Sequence, residues 1–160
     1  MQIIKDREII EDQWLHLDEE DADLVIGDIT IPLSRWQAEH ESLIKHNGKL
    51  GLRLSGDDPL EEIIPDLEHF DLIVLVFPAF TDGRCYSFAR LLRDRYHYQG
   101  EIRAQGDILR DQLYYMTQCG INSFEMADSE YLADALSAFD DFSENYQATA
   151  LNPDPLYRRR

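Results

Sequence analysis

The stretch Asp71-Leu72-Ile73-Val74-Leu75-Val76-Phe77 decides the fold. Its apolar run is rich in β-branched residues and closes at Pro78, so it reads as a central strand, Leu72–Phe77, covered on both faces. Working outward, Phe88, Leu91, Leu92 and Tyr96 recur at helical spacing and end at Gly100. Glu101 to Ala104 is the next strand. Asp107 then caps a helix that turns Leu109, Leu113 and Met116 inward and stops at Gly120. Ile121 to Met126 is the last strand, and Ser129 opens a final helix with Leu132, Ala135, Leu136 and Phe139 on its core face.

On the other side of the central stretch, Leu50 to Leu54 is a short strand. A helix capped by Asp58, with Pro59 at its first position and Glu61 completing a capping box, follows it and buries Leu60, Ile63, Ile64 and Leu67. Earlier still, Ser34 and Gln37 fit a capping box for a helix that places Trp36, His40, Leu43 and Ile44 on one face and ends at Asn47-Gly48. Residues 1–31 read as an irregular, β-rich lead-in with short strands at Leu24-Val25-Ile26 and Ile29-Thr30-Ile31. Residues 1–150 form one α/β domain, and 151–160 form a flexible tail.

Strands alternating with helices imply repeated βα units, a mainly parallel sheet and right-handed crossovers. Two architectures remain open: a flavodoxin-like open sheet, ranked first, and a half-barrel. The half-barrel would leave strand edges exposed and favour a homodimer.

The formal charge of −17 excludes nucleic acid and anionic membrane surfaces as expected partners. No apolar run is long enough to span a bilayer, and the start lacks a signal-peptide pattern, so a cytoplasmic location is expected. Residues 82–111 stand apart, nearly balanced in charge and carrying Arg84, Arg90, Arg93, Arg95, Arg103 and Arg110.

In parallel α/β folds, ligands bind beyond the carboxyl ends of the strands. The segments Thr81-Asp82-Gly83-Arg84 and Arg103-Ala104-Gln105-Gly106-Asp107 both meet a helix start there. Glycine admits close backbone approach, a helix start offers free N–H groups, and arginine offers a forked donor. Thr81, Asp82, Gly83, Arg84, Arg103, Gly106 and Asp107 are therefore the candidate site for a small oxyanion. The competing reading makes Thr81 and Asp82 helix caps, pairs Arg84 with an acid, and pairs Arg103 with Asp107 or Asp111. Cys85 and Cys119 do not form a disulfide framework; Cys119 reads as a packing residue, and Cys85, at a helix start beside Arg84, reads as a packing residue or as a redox thiol.

No dinucleotide fingerprint, P-loop, CxxC pair or nucleophile elbow is present, and the five histidines show no metal-ligand spacing. No metal is expected. A flavin is compatible with the pattern, since flavodoxin-like flavin sites carry no single short motif.

The stretches Phe77–Arg93 and Gly100–Gln112 resemble a bacterial family of unknown function whose members are described as probable oxidoreductases involved in sulfite reduction. The resemblance covers most of residues 25–145. Matching positions include Thr81, Asp82, Gly83, Arg84, Tyr86, Ser87, Arg90, Arg93, Arg103, Gly106, Asp107, Arg110, Asp111 and Gln112. Where members often carry glycine, this chain has Cys85, which speaks against catalysis by that thiol. The resemblance implies a role in assimilatory sulfite reduction and assigns no cofactor or catalytic residue. Three readings follow: an accessory protein binding a small oxyanion or the sulfite reductase system, an oxidoreductase of sulfite reduction that uses a flavin, and an anion-sensing or structural interaction domain.

Overall fold

The computed structural model describes residues 1–21, 26–78, 83–127 and 132–141. Eight strands form one sheet: β1 (Gln2–Lys5), β2 (Glu8–Glu11), β3 (Leu15–His16), β4 (Ile29–Pro32), β5 (Leu50–Leu54), β6 (Leu72–Phe77), β7 (Glu101–Gly106) and β8 (Ser123–Met126). The helices are α1 (Leu33–Ile44), α2 (Leu60–Ile63), α3 (Arg84–Arg90), α4 (Leu113–Gln118) and α5 (Leu132–Ser137). The expected strand at Leu24-Val25, the caps Thr81 and Asp82, the helix start at Ser129 and the tail lie outside the described residues.

The sheet order is β2-β1-β8-β7-β6-β5-β4-β3. From β3 to β8 every neighbouring pair is parallel and the strands follow chain order; β1 closes antiparallel onto β8. This corrects the ranking of the open sheet. An open doubly wound sheet reverses its strand order at a switch point and sends helices to both faces. Consecutive right-handed crossovers without a reversal leave all helices on one face. That face holds the core: Ile31, Leu52, Leu54, Ile73, Leu75, Phe77, Ile102, Ala104 and Phe124 pack against Trp36, Ile63, Cys85, Ala89, Leu92, Leu113, Met116 and Leu132.

The sheet is curled into a half-barrel. β3 and β8 stand five places apart in the strand order. A flat sheet would separate them by about 24 Å at the usual strand spacing. Instead His16 Nε2 on β3 lies 3.2 Å from Glu125 Oε1 on β8. Residues 12–14, linking β2 to β3, cross the concave face. Gly51 makes room for this crossing, because a Cβ there would stand 3.3 Å from the Trp14 ring.

β6 is central and buried as expected, with only Val76 partly exposed. Other local expectations shift. Residue Glu39 breaks the helical geometry of α1, which leaves Trp36 and Leu43 buried while His40 and Ile44 face outward. Asp58 does not cap α2; its carboxylate turns back to accept from Ser55 N–H at 2.8 Å. Asp107 is likewise no cap. Gln112 takes that part, accepting from Leu109 N–H at 2.9 Å. The sheet edges are short or charged: β3 has two residues, and β2 begins and ends in glutamate. Among the described residues, no helix is long and apolar enough to cross a membrane.

Candidate functional site: a charged network on the concave face

Side chains alternate across a strand, so the sheet face opposite the helices is written in every second residue. On β7 these are Glu101, Arg103 and Gln105; on β8, Ser123 and Glu125; on β5, Gly51 and Arg53; on β4, Thr30. Register aligns them. Arg53, Val74, Arg103 and Ser123 form one row across four strands, and Gln105 faces Glu125 in the row above. Leu72 and Val74 supply an apolar floor between two arginines.

Arg103 is the centre. It is 1% exposed. Its Nη2 donates to Glu101 Oε2 at 2.9 Å, its Nη1 to Asp12 Oδ2 at 3.1 Å, and its Nε to Ser123 Oγ at 3.1 Å. Lys5 Nζ meets the other Glu101 oxygen at 3.2 Å. His16 completes the group. Its Nε2 sits 3.0 Å from Asp12 Oδ2, and its Nδ1 sits 2.7 Å from Thr30 Oγ1. Thr30 Oγ1 and the Leu17 carbonyl also accept from Arg53, whose guanidinium pairs with Asp18 at 3.0 Å.

The electrostatics follow from this geometry. The hydrogen bond to Asp12 and the adjacent Glu125 carboxylate raise the His16 pKa to about 9 against the opposing effect of burial. Burial pushes Asp12 and Glu125 up, but His16, Arg103 and the hydrogen bonds they accept outweigh it, so both carboxyls sit below their ordinary values. Burial lowers Arg53 from its ordinary value, partly offset by Asp18. Beside the network, a cavity of about 180 Å³ is lined by Asp12, Trp14, Lys49, Glu101 and Arg103.

The expected anion site is distributed differently. Phe77 and Gly106 are register partners, so the chain does leave β6 and β7 side by side. Gly106 has φ +116°, and a Cβ there would lie 2.4 Å from the Phe77 carbonyl oxygen. That carbonyl accepts from Asp107 N–H at 3.0 Å. Gly106 is thus required by strand-end packing. Gly83 has φ −92°, and among the described residues nothing lies within 4 Å of a built Cβ, so its backbone makes no comparable demand. Arg84 opens α3 and forms an ion pair with Asp57 in the loop after β5, with its side chain 52% exposed. Arg103 does not join Arg84: it is committed to the concave face, and its acidic partners are Glu101 and Asp12 rather than Asp107 or Asp111.

Other arginines of the motif also hold structure. Arg93 donates to the carbonyls of Tyr98, Gly100 and Gly120 at 2.7–3.0 Å. Arg110 reaches the Asp134 carbonyl at 3.2 Å and so ties α5 down. Cys85 and Cys119 are buried in the core, and burial raises the Cys119 thiol above its ordinary value.

Sequence reasoning missed Asp12, His16, Arg53, Glu101 and Glu125. The signal for three of them was present. Glu101-Ile102-Arg103-Ala104-Gln105 and Ser123-Phe124-Glu125-Met126 alternate polar with apolar, as does Leu52-Arg53-Leu54. A strand under helices on both faces would not alternate. Asp12 and His16 had no such signal, because they reach the network from a crossing segment.

No curated protein matches the chain. Residues 51–157 match a family described as bacterial protein of unknown function, DUF934, and the chain belongs to that family.

Proposed function

We propose that this chain is an accessory protein of assimilatory sulfite reduction that docks through an acidic surface onto a basic face of the sulfite reductase system. The motif resemblance supplies the pathway. The observation that carries the docking mode is where the cations go. Arg35, Arg53, Arg93 and Arg103 turn inward, onto buried carboxylates and backbone carbonyls. Apart from Asp12, Glu101 and Glu125, many acids face outward: Asp18, Glu19, Glu20, Asp21, Glu61 and Glu62 are all exposed. The four arginines withdrawn are nearly offset by three buried carboxylates, so a chain of net charge −17 keeps a strongly acidic surface. Such a surface steers association with a basic partner and weakens with salt.

The concave network favours a non-catalytic reading for its arginines, since Arg103 is matched by carboxylates rather than offered to a substrate. We place the small oxyanion of this reading at Arg84 beside Gly83, where the side chain is half exposed. Mixing the purified chain with the host's sulfite reductase over a salt series tests docking. The expected result is a complex at low salt that is lost as ionic strength rises. Absence of any complex at about 10 mM salt, where the screening length is near 30 Å, would falsify the proposal. A visible flavin band in the purified protein would instead support the oxidoreductase reading.

A further inference from the structure

We propose that Asp12, His16 and Glu125 form a binding site for one divalent cation of the Zn²⁺ or Mn²⁺ class, built across the concave face from the 12–16 crossing segment and β8. The expectation of no metal came from the scatter of the histidines; Asp12 and His16 are four residues apart, and the curl of the sheet brings Glu125 to them.

Three atoms converge: Asp12 Oδ2, His16 Nε2 and Glu125 Oε1 all lie within 4.8 Å of one another. His16 Nε2 is 3.0 Å from the aspartate oxygen and 3.2 Å from the glutamate oxygen. Ligands held about 2.1 Å from a zinc ion stand about 3.0–3.4 Å apart, so these separations suit a shared ion. One imidazole and two carboxylates make a donor set of intermediate hardness, which favours Zn²⁺, Mn²⁺ or Fe²⁺ over the soft, thiolate-seeking metals.

The far side of each ligand is tied by a separate group. Asp12 Oδ1 accepts from Trp14 N–H at 3.1 Å. His16 Nδ1 meets Thr30 Oγ1 at 2.7 Å. The second oxygen of Glu125 accepts from Gln105 Nε2. Outer bonds of this kind aim metal ligands and fix the histidine tautomer.

One atom is left over. The Glu125 side chain is 7% exposed, and its Oε1 accepts no well-formed hydrogen bond among the described residues. His16 comes within 3.2 Å without the direction a hydrogen bond needs, and Arg103 Nη1 stands 3.9 Å away. A buried carboxylate oxygen without a donor is costly. The buried carboxylates Asp12, Glu101 and Glu125 already meet Arg103, Lys5 and His16, so it is the orphan oxygen rather than a charge deficit that calls for an ion. A cation between Asp12 and Glu125 satisfies that oxygen and takes the place of the proton on His16 Nε2. His16 is 24% exposed, which leaves a route for the ion and for water ligands.

The test uses the full chain, purified without a histidine tag and stripped with chelator. Mn²⁺ is titrated while the imidazole proton signals of the five histidines are followed by NMR. Selective broadening of His16 below one equivalent, with His40, His46, His69 and His97 unchanged, is the expected result. Equal broadening of all five, or none up to 1 mM, overturns the site. Because the first measurement uses the unaltered protein, it decides even if a variant misfolds. In folded Glu125→Gln the affinity should drop at least tenfold, and unchanged binding also overturns the site.

Discussion

Arg103 Nη1 donates to Asp12 Oδ2 at 3.1 Å across 91 residues of sequence, and this bond fastens the N-terminal crossing segment to the middle of the parallel sheet. Both side chains are almost wholly withdrawn from water, at 1% and 3% exposure. The interaction is therefore of the buried kind, in which removing one partner leaves the other charge stranded.

Arg103→Met should destabilise the protein by about 3–5 kcal/mol, because Asp12 and Glu101 lose their counter-charge while staying buried. Adding Glu101→Gln should recover part of that loss. Chemical denaturation of the single and double variants measures it. A single variant that unfolds at the wild-type denaturant concentration would show that the network contributes little.

Stability should depend on pH in a way that His16 controls. In the metal-free protein its folded pKa is about 9, above the ordinary value of 6.5. The proton is held more tightly in the folded state, so this contribution is full below pH 6.5 and fades as pH rises through 9. Asp12 and Glu125 shift the opposite way, below 3.8 and 4.5, so their contribution is present above those values and is lost as pH falls through their lower folded values. The melting temperature should plateau between these limits and decline on either side. Because His16 is the main group that lowers Asp12 and Glu125, His16→Gln should flatten the alkaline limb and weaken the acid one, which thermal melts from pH 3 to 10 can establish.

The two motif glycines should respond differently to alanine. At Gly106 a side chain meets both a positive φ and the Phe77 carbonyl at 2.4 Å. Gly106→Ala should cost more than about 1 kcal/mol. Gly83 has ordinary φ and, among the described residues, nothing within 4 Å of a built Cβ. Gly83→Ala should cost less than about 1 kcal/mol, as expected for a helix-start position. Equal losses in parallel melts would mean that Gly83 serves an interaction outside its own backbone.

The parts of this fold that could be read locally were those encoded by local chemistry. Leu72–Phe77 announces a central strand because every side chain on both faces is apolar. The helices announce themselves through period. The half-barrel was harder, since strand order depends on contacts between distant segments, yet the alternation at Glu101–Gln105 already excluded helices on both faces. The Asp12–His16–Glu125 cluster was not legible at all. Asp12 sits in the crossing segment and His16 on a two-residue strand, too short for a periodicity to mark either, and their partners Arg103 and Glu125 lie about a hundred residues downstream. Arg103 illustrates the intermediate case: an arginine inside a strand demanded a partner, but only the curl of the sheet chose Asp12 and Glu101 over Asp107.

Arg84 offers the last prediction, because its exposure separates stability from binding. Its ion pair with Asp57 joins side chains that are 52% and 79% exposed. Pairs so open to water are worth under about 1 kcal/mol, so Arg84→Ala should fold and melt almost as the wild type does. If Arg84 also holds a small oxyanion, that variant should bind sulfite or sulfate at least tenfold more weakly, the loss expected for one charge-assisted hydrogen bond of about 1.5–3 kcal/mol. Asp57 competes for the same guanidinium, so Asp57→Asn should strengthen binding. Arg95→Ala, remote from the junction, should leave it unchanged. Calorimetry on the three variants separates the outcomes. Opposite shifts for Arg84→Ala and Asp57→Asn would assign the oxyanion to this junction, whereas no heat at millimolar anion in the wild type would leave the Arg84–Asp57 pair as a tether between the loop after β5 and the start of α3.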